Sequence, residues 1–334
     1  MRLLVVVTIT AMFSAACSST ARPVAPSPTP ACSNIRLETD LPPSPPSASV
    51  YWQHPVDTTL DEARAAAIAE TLGVSGSISS YVGESGIASF TVTGDPSEVT
   101  VFSDNPVSFT YSADAHVPLG VAPLATYPPE DLVAYSRAFL SEHQLLPFDN
   151  QILPATGSNA DGYSVQVQSR LNGIPLFEND PTNPRIWLVF GPDAAVTHLF
   201  YDTLLLEDLG PSPIRPAANA WSLLCSGASL DGGLLTTYDA AGRIASAAGR
   251  LPIPGEAPAS ADLSEIAGHV SEVALVYYPF DLRFASVGAY PSDSPVRLVQ
   301  PVWVFSGTLD GEGTFDILVP ALEEGALASV TPPP

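Results

Sequence analysis

Five histidines, three cysteines and two acidic turns are the residues best equipped for chemistry in this chain of 334 residues. The histidines, His54, His116, His143, His198 and His269, stand far apart in sequence. A triad is defined by geometry, so distance along the chain does not forbid one. The motifs that usually announce one are missing, however. Gly73-Val74-Ser75-Gly76 fails the nucleophile-elbow pattern at its final position, and no His-Glu-x-x-His, phosphate loop or dinucleotide fingerprint occurs. Asp231-Gly232-Gly233 and Asp310-Gly311-Glu312-Gly313 lack the regular series of oxygen ligands that a calcium loop needs. They read as hairpin turns, and Glu323-Glu324 reads as a solvated pair. The expectation is a protein that is not an enzyme, with structural or surface histidines, no metal and no cofactor. A hydrolase with a dispersed active site is the least favoured alternative.

The cysteines say more. Arg2 precedes an apolar run of about a dozen residues, then come Ser14-Ala15-Ala16-Cys17. The run is shorter than the ~20 residues of a membrane-spanning helix. A charged start, a short apolar core and small residues before a cleavage point read as an export signal. This order resembles the signal peptide of a bacterial lipoprotein, with Ser14 to Cys17 in the place of the lipobox. The resemblance implies cleavage before Cys17, a diacylglycerol on its thiol, and acylation of the new amine. A single acyl chain binds a membrane only marginally, and two or three hold stably. With Cys17 lipidated, Cys32 and Cys225 remain. An oxidising compartment favours a disulfide between them, the alternative being two free thiols.

The formal charge is −23, and all twelve basic residues are arginine. Nucleic acid is excluded as a partner, because binding it relies on neutralising phosphates. An anionic membrane surface would likewise repel the folded body. The partners that remain are the membrane, through the lipid anchor, and a protein or peptide of the cell envelope.

Residues 1–16 form the expected signal peptide and 17–49 a lipidated, proline-rich linker. An N-terminal unit at 50–124 and a C-terminal unit at 125–330 follow. The linker would reach ~100 Å, or roughly 45 Å if Cys32 were bridged to the body. Thr59 and Glu62 fit a capping box before Leu60, Ala63, Ala67, Ile68 and Leu72 at helical spacing, and Gly73 stops that helix. Short strands are expected at 77–82, 87–93, 99–102 and 107–111. A second helix opens at Pro129-Glu130-Asp131, and strands are expected at 151–154, 163–171, 185–190 and 196–206. Asn172-Gly173 is a strong turn signal. Helix-then-strands therefore occurs twice, which predicts an α+β fold of two tandem helix-plus-antiparallel-sheet units. Beyond them come a helix at 217–225, a loop at 242–255 and closing strands at 273–280, 296–308 and 313–320. Pro301 places the start of its strand at a sheet edge.

The series Tyr163 to Pro175, Ile186 to Phe190, Val196 to Leu199, Ala220-Trp221 and Val299 to Gly307 is similar to extracytoplasmic regulators of the YycH/YycI type and to PepSY-like modules. That resemblance implies helix-plus-sheet units outside the membrane that bind other envelope proteins and do no chemistry. It carries over no functional residue. Tryptophans are core residues by default. The alternative is that Trp52, Trp187 or Trp303 lines an open sheet face, where aromatic anchors concentrate binding energy. The leading reading is a lipid-anchored, extracytoplasmic, non-catalytic protein that binds a protein or peptide and has a possible regulatory role. A solute- or ligand-binding lipoprotein with an interdomain cleft is the second.

Overall fold

A computed structural model describes residues 34–326 apart from 55–59, 84–87, 104–106, 114–127, 147–148, 159–161, 178–184, 192–195, 228, 252–258, 280–297 and 324. Cys17, Cys32, Thr59 and His116 lie outside the described residues. In chain order the elements are β1 (Ile35–Leu37), β2 (Ser47–Gln53), α1 (Glu62–Thr71), β3 (Ser77–Val82), β4 (Ala88–Thr93), β5 (Ser97–Phe102) and β6 (Val107–Ala113). Next are α2 (Pro129–Glu142), β7 (Asp149–Ile152), β8 (Thr156–Ser158), β9 (Gly162–Leu171), β10 (Ile174–Pro175), β11 (Ile186–Phe190), β12 (Val196–Thr203) and β13 (Leu206–Pro213). The chain continues with α3 (Ala217–Leu224), β14 (Ser229–Asp231), β15 (Leu234–Tyr238), β16 (Ile244–Gly249), β17 (Ser260–Asp262), β18 (Gly268–Tyr278), β19 (Leu298–Leu309) and β20 (Thr314–Pro320).

The expected α+β class is overturned. The protein is mostly β, 56% strand against 15% helix, and is built on two large antiparallel sheets. The two expected units do not stand apart. The first sheet has the order β10-β9-β11-β12-β6-β5-β4-β3, with β7 and β8 also on β9. β6 and β12 pair from Val107↔Thr203 to Ser112↔His198, so both helix-then-strands series merge into one ten-stranded sheet. Element order along the chain carries no signal for that long-range pairing. α1 and α2 cover one face of this sheet. Ala65, Ala69, Leu132, Phe139 and Leu140 pack on Val99, Val101, Phe109, Val165, Val167 and Leu188.

The helix ends follow local chemistry. The α1 cap is Asp61, whose carboxylate accepts the Arg64 N–H at 2.9 Å, so the helix starts later than a cap at Thr59 would give. Gly73, at φ +74°, turns the chain out and donates its N–H to the Glu70 carbonyl. α2 opens on Pro129 with Glu130 and Asp131 in its first turn, where the positive helix end favours acids.

The second sheet has the order β1-β18-β19-β20-β15-β16, and β2 joins β13 to β19. Its central strand, β19, is buried on both faces along most of its length. Trp221 and Leu224 of α3 lie with Trp303, Phe305, Phe315 and Ile317 on one side. Val276, Tyr278, Leu251 and Leu318 gather with Val302 and Val304 on the other. Pro301 therefore does not mark an edge. Its carbonyl accepts the Ala321 N–H at 3.1 Å, so its missing N–H points the same way. That side is the handover between β2, paired to Leu298 and Val299, and β20, paired from Val302 onward. The proline costs no ladder bond there.

The first described residues belong to this second sheet. β1 runs parallel to β18, with Ile35 opposite Gly268, and Ile35 is buried in the core. The described part of the proline-rich stretch, Asn34 onward, thus takes part in the fold, inside the expected linker of 17–49. Proline frequency hid two strands because Ile35, Val50 and Tyr51 supply the apolar contacts between the proline blocks. β16 likewise occupies Ile244–Gly249 within the loop expected at 242–255, of which 252–255 lie outside the described residues. The two bodies meet at the β9–β10 hairpin. Asn172 (φ +52°) and Gly173 (φ +79°) make its turn, and the Asn172 amide donates to the Tyr51 hydroxyl at 3.0 Å. Phe177 donates its N–H to the Tyr277 carbonyl at 2.8 Å.

Candidate binding face

The face of the ten-stranded sheet opposite α1 and α2 can be read from strand register, since directly opposed residues share a face. One row runs Gln166, Trp187, Phe200, Thr110, Thr100, Thr91 and Ser79. The next runs Ser164, Val189, His198, Ser112, Glu98, Thr93 and Ser77. A third runs Asp202, Ser108, Phe102, Ser89 and Tyr81. Hydroxyls dominate. The Thr91 and Thr100 hydroxyls bond each other at 2.9 Å, which stiffens the middle of the face. Where the third row reaches Asp202, the face closes on an ion pair with Arg185. The pair spans 2.9 Å, with side chains 5% and 2% exposed. A pair so buried holds only while both partners are present.

The tryptophans separate on inspection. Trp303 is 0% exposed and its indole N–H donates to the Arg215 carbonyl at 3.0 Å, so it is a core residue and offers no surface. Trp52 is half-buried against the core of the second sheet, opposite Glu207 and Leu298. Trp187 is half-buried on the hydroxyl-rich face, and its buried indole nitrogen makes no hydrogen bond. Trp187 alone of the three fits the open-face alternative.

The described histidines are spent on structural contacts. His143 follows α2, bonds the Thr71 carbonyl through Nδ1 at 2.7 Å and packs on Phe139. His198 bonds its neighbour Thr197 at 3.1 Å, and His54 lies 3.6 Å from Glu207. His269 comes nearest to a catalytic constellation, with Thr308 at 2.7 Å and Glu38 at 4.0 Å. Both partners approach the same nitrogen, Nε2, whereas a relay needs the acid on the other. His269 and Thr308 are simply a cross-strand pair.

Asp310 to Gly313 is the hairpin turn between β19 and β20, closed by the Leu309 N–H to the Gly313 carbonyl. Asp231 to Gly233 is a turn, but it links strands of different sheets rather than a hairpin. Among the described residues no group of three metal-binding side chains gathers. Asp316 accepts from Ser306 at 2.6 Å and from Tyr238 at 3.0 Å. Burial raises its pKa above the ordinary carboxylate value, against the lowering effect of those two hydroxyls. Beside α3, Arg215, Asn219, Ser222, Leu223 and Glu323 line a shallow, open groove of about 390 Å³.

Cys225 ends α3 and lies against the core that also holds Ile35. Among the described residues no helix is long and apolar enough to cross a membrane. The face itself was written in β5, where Val99 and Val101 alternate with Glu98 and Thr100. That alternation marks a sheet with one buried and one open side. Comparison with known families and with curated sequences found no match.

Proposed function

We propose that this is a non-catalytic, lipid-anchored protein of the cell envelope that binds a protein or peptide partner outside the membrane. The observation that carries the reading is the hydroxyl-rich face around Trp187. It combines an aromatic anchor with many small hydrogen-bonding groups and few charges, which suits a polar protein surface. The groove beside α3, shallow and open, is not the enclosed cleft that a small solute would need.

In the same reading Cys17 carries the lipid and Cys32 pairs with Cys225. Ile35, three positions after Cys32, docks in the core that Cys225 touches. The free tether would then run from Cys17 to Cys32, roughly 45 Å when extended. The test uses the anchored full chain with a photoreactive residue at Thr110, in the middle of the face. A specific protein adduct that disappears when Trp187 is changed to Asp supports the reading. The absence of any adduct contradicts it. Palmitate labelling lost in Cys17→Ser, and a Cys32 thiol freed in Cys225→Ser, check the anchor and the disulfide.

A further inference from the structure

We infer that the outer edge of β3 is a strand-addition site for an extended, lysine- or arginine-bearing peptide segment. This deepens the partner-binding reading and rests on it for the class of partner, but it has its own observation. Exposed sheet edges invite pairing, and proteins blunt them with charge, proline or brevity. Here the edges can be compared. β10 is two residues long and contains Pro175. β1 is three residues long and carries Arg36, paired with Asp310. β13 contains Glu207, Asp208, Pro211 and Pro213, and β7 begins with Asp149. β16 carries no charge or proline either, but Arg250 at its end bridges to Ala259 beside β17, which covers that edge in part.

β3 has none of these devices. It is six residues, Ser77-Ile78-Ser79-Ser80-Tyr81-Val82, with no charge and no proline. It ends the sheet, and Tyr81 and Val82 are 68% and 63% exposed. The ladder also shows which backbone groups are open. Ala88 of β4 faces β5, since its carbonyl accepts the Ser103 N–H at 2.9 Å and its N–H donates to the Ser103 hydroxyl. Antiparallel pairing alternates direction residue by residue. Ser89, Thr91 and Thr93 therefore face β3 and bond Tyr81, Ser79 and Ser77, their register partners. That leaves the N–H and C=O of Ile78, Ser80 and Val82 directed outward. An added strand would meet three donors and three acceptors, with Tyr81 on one side of it and Val82 on the other.

Charge selects the occupant. Among the described residues from 60 to 113 there are five acids, Asp61, Glu62, Glu70, Asp95 and Glu98, against the single base Arg64. A second copy would bring another −23 to the same edge and is repelled. A cationic extended segment is attracted, and its main chain supplies the affinity.

The probe is an alternating lysine–valine hexapeptide, with a glutamate–valine counterpart, titrated into the full chain in detergent at low and high salt. The lysine peptide is expected to bind, more weakly at high salt, and the glutamate peptide not at all. Ser80→Pro removes an outward N–H without touching the bonds to β4, and should weaken binding at least about ten-fold. If that variant folds poorly, N-methylation of alternate amides in the peptide tests the same bonds without altering the protein. Unchanged affinity for the methylated peptide, or no binding of the lysine peptide, overturns the proposal. So does sedimentation as a dimer that Ser80→Pro dissolves. The Thr110 adduct is read separately, so an edge that fails while the adduct persists leaves the broader reading standing.

Discussion

The two sheets handle their surfaces in opposite ways. The sheet centred on β19 is apolar on both faces and gathers β1 and β2 with β13, β15, β16 and β18 to β20. The sheet of β3 to β12 is apolar only where α1 and α2 lie, and presents hydroxyls and Trp187 on the other side. A sheet buried on both faces has no face left for a partner. Its work is to hold the body together and to tie the N-terminal segment to it. The sheet with an open face and an undefended edge is the one the proposed binding would use.

Truncation should separate the two most strongly. Trp303→Ala empties a fully buried site and should cost about 3–5 kcal/mol in denaturant unfolding. Trp187→Ala, on the open face, should cost well under half of that while reducing the Thr110 adduct. Equal losses would erase the distinction between scaffold and binding face. Arg185→Ala leaves Asp202 buried without its partner and should also cost about 3–5 kcal/mol, because the open face is closed at that end. A loss near zero would mean that end of the face is wet.

Ile35→Ala should destabilise the body by about 2–4 kcal/mol if the N-terminal segment is part of the second core. A flexible tether would show no change. Asp316→Asn has the smallest expected effect and is read through pH. Burial raises the Asp316 pKa, so the folded protein holds that proton more tightly than the unfolded chain. Stability from this group is present at low pH and is lost as pH rises through the raised pKa. The Asn variant should lack that fall in a stability-versus-pH series. A parallel fall would place its cause elsewhere.

Local signals were legible in the sequence. Gly73, Pro129 and Asn172-Gly173 punctuate the chain where their backbone chemistry requires, and most strands lie where apolar residues recur. Long-range pairing was not legible. Nothing in β6 or β12 announces that they join two apparent units, and proline frequency masked the strand that begins at Ile35. Trp187 and Trp303 look alike in sequence, each within an apolar run. Only register and burial divide the open-face residue from the core one. The edge role of β3 was hidden for a related reason, since a strand without charge reads equally well as interior.

The most direct test is residue-resolved amide hydrogen exchange of the full chain, with and without the lysine–valine peptide. The account predicts fast exchange at Ile78, Ser80 and Val82 in the free protein, slow exchange at Ser77, Ser79 and Tyr81, and peptide protection confined to the first three. Uniform exchange along β3, or protection appearing on β16 instead, would contradict it.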